Sequence, residues 1–165
     1  MRDVDRHRYF AMLDTMRTDT RAPAAVGAAF VMWLVAVGAG VFETILVVAS
    51  GEAGGGAAVG VTVRVAVFLA AILVALRMRA GRRWARLTLA VGLGVLGTLS
   101  LVVDPLLWLL DGNSLSAVLA ESGPADLAFG TSRVLHVAAV LTACVLMFLP
   151  SSNRYFRRPV AALAT

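Results

Sequence analysis

The sequence predicts an all-α integral membrane protein, a bundle of four transmembrane helices, and three observations carry that prediction. Hydrophobic residues make up 59% of the chain and charged residues only 15%. With a mean hydropathy of +0.84, this is not the composition of a soluble globule. Four apolar stretches each reach about the 20 residues that a helix needs to cross the hydrocarbon core. The basic residues, all arginine with no lysine, gather in short segments at alternate ends of those stretches. Four crossings leave no room for a separate soluble domain.

Residues 1–22 form a cytoplasmic or interfacial segment. Tyr9, Met12, Leu13 and Met16 recur there at helical spacing, which fits a short helix lying in the membrane interface. A tail without fixed structure fits equally well. The first span covers 23–48, with Pro23 near its start, where a missing N–H costs nothing. This run starts too late and is too long for the apolar core of a cleaved signal peptide, about 7–15 residues. The glycine-rich loop SGEAGGGAAVG leads to a second span at 57–76. RMRAGRRWAR then places Arg77, Arg79, Arg82, Arg83 and Arg86 in one turn. The third span covers 87–110 and the fourth 127–149. Pro150 stops the last span, and 151–165 form a tail. The transmembrane domain is thus 23–150.

Thirteen of the fifteen arginines lie in the N-terminal segment, the 77–86 turn or the C-terminal tail. The two remaining loops hold Glu52, Asp111, Glu121 and Asp126 and no arginine. By the positive-inside rule both termini and the 77–86 turn are cytoplasmic. The richness in Ala, Gly, Val and Arg suggests a GC-rich bacterial genome, so the expected location is a bacterial inner membrane. Arginines placed at span ends meet anionic lipid head groups, or a partner's acidic face, and no nucleic acid is expected as a partner.

No cofactor or metal is expected. Cys144 is the single cysteine and His7 and His136 the only histidines, which gives no metal-ligand spacing. GLGVLG at 92–97 lies inside a span with no strand before it, so it is no nucleotide loop. Its glycines, with Ala36 and Gly40, instead supply small residues for close helix packing.

The feature with chemical content is a charged layer. Glu43, Arg64, Asp104 and Arg133 each lie seven residues inside the outer end of a span, about 10 Å down at 1.5 Å per residue. A charge at such depth costs about 2.5–3.5 kcal/mol even on the lenient insertion scale, so it pairs or faces a wet cavity. Two acids and two bases predict one balanced cluster. Arg64 and Arg133 could instead snorkel to the head groups. Asp104 precedes Pro105 and could end the third span, capping a short helix PLLWLL. His136, three residues after Arg133, shares its helical face and adds an imidazole to the cluster.

Two stretches have a familiar look: AGRRWARLTLAVGLGVLG at 80–97 with the arginines before it, and VLMFLPSSNRYFRR at 145–158. They resemble small four-span membrane proteins of actinobacteria that carry an R-x-G-R-x-W-A-R turn and a terminal F-L-P-x-S-N-x-Y-F. The resemblance implies a lineage and a topology, and no activity.

The expected function is therefore a non-enzymatic inner-membrane protein, either an accessory subunit of a membrane complex or a homo-oligomer, with no catalytic residue assigned. The alternative is a small transporter or ligand-binding bundle using Glu43, Arg64, Asp104, Arg133 and His136. A third reading is a lipid-acting membrane enzyme.

Overall fold

A computed structural model describes residues 22–51 and 57–157. The N-terminal segment with its expected interfacial helix lies outside the described residues. Among those described there are helices and no strands: α1 (Ala24–Ala49), α2 (Ala57–Arg79), α3 (Arg83–Leu110), α4 (Leu115–Glu121), α5 (Pro124–Phe148) and α6 (Pro150–Arg157). The four long ones, α1, α2, α3 and α5, are long and apolar enough to cross a membrane. At 26 residues, α1 is about 39 Å long.

The spans extend beyond the hydropathy limits. Helix α2 continues to Arg79 and α3 begins at Arg83, so most of the arginine-rich turn is helical. Hydropathy falls where arginine begins, but backbone hydrogen bonding does not. The turn itself is made by Gly81, whose φ of 80° is the left-handed conformation that glycine adopts without a Cβ penalty. The Arg82 N–H bonds to the Arg77 carbonyl and the Gly81 N–H to the Met78 carbonyl, at 3.1 and 2.9 Å. These two bonds close α2 in a Schellman motif.

The core is the seam between α1 and α5. Val26, Ala29, Phe30, Trp33, Ala36, Gly40, Glu43 and Thr44 are buried on α1, a stripe at three- and four-residue spacing. Ala139, Val140, Ala143 and Met147 face it from α5. Small side chains on both helices let the backbones approach. Ser132 Oγ donates across the seam to the Ala39 carbonyl at 3.3 Å, and Trp33 Nε1 donates to Met147 Sδ at 3.5 Å. Helix α2 adds Ala71, Ala75 and Met78 to the buried set.

Helix α3 is the loosely held member. Its segment Leu89–Gly97 is π-helical, a rare geometry usually found as short insertions and often near functional sites. Gly94 brings this segment against α5, since an added Cβ would sit 2.8 Å from Cys144 Sγ. Gly92, by contrast, has open space around it. The helix then runs through Pro105 to Leu110. The span thus ends at Leu110 as expected, and the alternative break at Asp104 does not occur. Pro105 lacks the N–H that would bond the Leu101 carbonyl one turn back, and every residue from 102 to 110 is exposed.

Two elements differ from the expected loops and tail. Helix α4 forms where a loop was read; Leu115, Val118 and Leu119 give it an apolar face at helical spacing. Pro150 ends α5 but also opens α6, taking the first helical position that suits its ring. Helix α6 folds back so that Ser152, Tyr155 and Phe156 are buried.

That fold-back makes a clasp at the end of the bundle carrying Arg79 and Phe148. Ser152 Oγ donates to the Leu146 carbonyl at 2.7 Å and Asn153 Nδ2 to the Phe148 carbonyl at 2.9 Å. Arg86 Nη1 reaches the Met147 carbonyl at 3.3 Å and Asn153 Oδ1 at 2.7 Å. Three successive carbonyls at the C-terminus of α5, which no helical N–H can reach, are thereby satisfied. A cation also suits the negative end of the helix dipole. Tyr155 OH donates to the Arg79 carbonyl at 3.0 Å, and Arg83 Nε donates to the Phe156 carbonyl.

Candidate functional site

At the opposite half of the bundle α1, α2, α3 and α5 surround a cavity of about 350 Å³. It falls within the range of small-molecule sites, about 300–1,000 Å³. Glu43, Arg64, Arg133 and His136 all line it, each from the helix that the sequence assigned to it. Asp104 does not. It lies about one turn beyond Ser100 and Leu101, the last cavity residues of α3, and is exposed.

The pairing inside the cavity also differs from the expected one. Among the described residues no carboxylate reaches salt-bridge distance of Arg64 or Arg133. The partner of Glu43 is His136, with Nδ1 3.5 Å from Oε1. Gly40 permits this approach: a Cβ there would sit 2.8 Å from the Phe68 ring and 3.4 Å from His136 Cε1. Thr44, on the same face as Gly40, turns its hydroxyl back to the Gly40 carbonyl at 2.8 Å.

Each cavity arginine has a phenylalanine one helical turn away. Arg133 lies over the Phe129 ring at 5.4 Å, a cation–π contact within reach of the ring's negative face. Phe68 follows Arg64 at the same four-residue spacing and also lines the cavity. Sequence reading missed both phenylalanines, although that shared spacing from each arginine was visible.

Two polar atoms on the cavity wall, Thr98 Oγ1 and Arg133 Nε, are buried with no hydrogen-bond or ion-pair partner among the described residues, and Glu43 Oε1 and His136 Nδ1 have only each other at 3.5 Å. An unsatisfied buried group costs about 1–3 kcal/mol.

The arginines of the turn divide into two groups. Arg77, Arg79, Arg82 and Arg83 are exposed, with Arg79 over Phe30 at 5.1 Å and Arg83 Nε bonded to the Phe156 carbonyl. Arg86 is part of the clasp, between the Phe148 and Phe156 rings at 4.6 and 4.9 Å. No protein-family model matches the chain, and neither a curated protein nor a solved structure is detectably similar to it.

Proposed function

We propose that the chain is a small multi-pass membrane protein that binds a ligand in the cavity between its four spans, as a transporter or a membrane-embedded binding protein. The clasp end faces the cytoplasm and the cavity opens in the outer half of the bilayer. One observation carries this reading: the buried Glu43–His136 pair and the unpartnered Arg133 Nε and Thr98 Oγ1, from three helices, converge on a single cavity. A ligand with complementary polar groups relieves their desolvation and explains why a membrane protein retains them. Glu43 and His136 supply a proton-accepting pair, and the two arginines supply positive charge.

The test is native mass spectrometry of the full chain released from a mild detergent, beside a Val67→Phe variant. Val67 lines the cavity from an exposed position on α2, so the larger ring fills space without entering the α1–α5 seam. The expected result is a retained small molecule on the wild type that is depleted on the variant. Equal adducts on both, or none on either, would count against the reading.

A second reading, an accessory subunit or homo-oligomer, is favoured by α3. Leu96, Leu99, Leu106, Leu107 and Leu110 are all more than half exposed, so this span has a broad apolar face open to a neighbouring helix. Gentle extraction followed by pull-down should then recover a stoichiometric partner or a defined oligomer. A monodisperse monomer at all detergent ratios would argue the other way.

A further inference from the structure

We infer that the ligand is a monoanionic amphiphile: an oxyanion head group held by Arg133 and Arg64, with an acyl chain that leaves the cavity sideways into the bilayer. This rests on the ligand-binding reading above and adds the ligand's charge and its route of entry.

The charge follows from which residues share the cavity. With Asp104 outside, two arginines face one glutamate, so counting these formal charges alone the site has one positive charge in surplus. Uncompensated charge in hydrocarbon is expensive, and a ligand carrying one negative charge balances it. Arg133 Nε is buried without a partner and belongs to a guanidinium whose planar fork suits a carboxylate or a phosphodiester. The carboxylate of Glu43, 8% exposed, lies toward His136 instead. It is within salt-bridge distance of neither arginine.

The route follows from packing. Between α2 and the Thr98–Leu110 part of α3 there is very little contact. Arg64 and Val67 on one side of this gap and Ser100 on the other are exposed, yet all three line the cavity. The cavity therefore opens laterally, between two spans, toward the acyl chains. Phe68, Phe129 and Leu101 give the same cavity an apolar wall. A soluble anion could satisfy the arginines but would have no use for this side opening.

Trp33 makes the proposal measurable. It lines the cavity and is 2% exposed, whereas Trp84 and Trp108 are 52% and 38% exposed. The full chain carrying Trp84→Phe and Trp108→Phe, in phosphatidylcholine nanodiscs, reports the cavity through Trp33 alone. Three brominated quenchers are titrated: 9,10-dibromostearate, its neutral methyl ester, and a dibromoacyl phosphatidylglycerol. The expected result is saturable quenching by one or both anions and only linear, partition-driven quenching by the ester. The fatty acid and the phosphatidylglycerol arms tell a free carboxylate from a lipid phosphodiester. Arg133→Gln should raise the half-saturating concentration at least tenfold, and Arg133→Lys, which keeps the charge, by only a few-fold. If Arg133→Gln fails to fold, Arg64→Gln gives the same comparison at an exposed position, with a weakening of about threefold or more. Saturable quenching by the ester equal to that by the acid would overturn the charge assignment and leave the cavity a binding site. No saturation by any quencher, with no copurifying molecule, would remove both.

Discussion

Arg86 Nη1 donates to Asn153 Oδ1 at 2.7 Å and joins the turn after α2 to helix α6. The R-R-W-A-R turn and the P-S-S-N-R-Y-F segment are distant in sequence, yet they are the two halves of one clasp. Together they finish the carbonyl end of α5. Asn153→Ala should lower stability by about 1–2 kcal/mol, as expected for a lost, partly buried hydrogen bond to a charged group. Arg86→Leu should cost more because it also leaves the Met147 carbonyl unmet. A double-mutant cycle by denaturant titration in bicelles should return a coupling energy of about 1 kcal/mol or more. Strict additivity would show that the two side chains do not work together.

Glu43 and the ligand compete for positive charge in the same cavity. Glu43→Gln raises the formal surplus from one positive charge to two while keeping the side-chain shape. An anionic amphiphile such as dibromostearate should then bind about threefold to tenfold more tightly, read from Trp33 quenching. Weaker binding would mean that Glu43 contacts the ligand directly.

At Gly40 an added methyl group meets two residues of the cavity wall. Gly40→Ala puts a Cβ 2.8 Å from Phe68 and 3.4 Å from His136. The Phe68 ring is the more movable neighbour, so it should swing into the cavity. Ligand binding should fall several-fold while the melting temperature changes little. A large loss of stability with intact binding would place Gly40 in the packing seam only.

Cys144 reports the contact between α3 and α5. Gly94→Val should drive α3 away from α5, because the first added atom already sits 2.8 Å from Sγ. Labelling of Cys144 by a membrane-permeant maleimide should speed up markedly in the variant. Unchanged labelling would show that the π-helical segment absorbs the added volume.

Topology can be read with impermeant maleimide in a Cys144→Ser background. Ser50→Cys and Asn113→Cys, at one end of the bundle, should label in intact cells. Ser151→Cys, at the clasp end, should label only after the membrane is opened. The opposite pattern would invert the charge-based orientation.

Much of this fold was legible because its causes are local. A bilayer sets the length of an apolar helix, so the four spans could be read from hydropathy. Arginine placement predicted the turn at 77–86, and Gly81 closes it with a single left-handed residue. Four of the five cavity candidates, Glu43, Arg64, Arg133 and His136, came from the rule that a charge at depth requires a partner or a polar space. The sequence by itself thus determined the four long helices, their order and most of the charged residues that line the cavity.

The tertiary structure decided who meets whom. Depth along a span follows from counting residues, but the direction a side chain faces depends on how each helix is rotated against its neighbours. That rotation is set by close packing of small residues from distant parts of the chain, Gly40 against Phe68 and His136, and Gly94 against Cys144. It places His136 rather than an arginine beside Glu43, leaves Asp104 outside, and turns Arg86 inward to finish a helix end. The cavity's surplus positive charge is the result, because a single helix's rotation decides which charges are counted together.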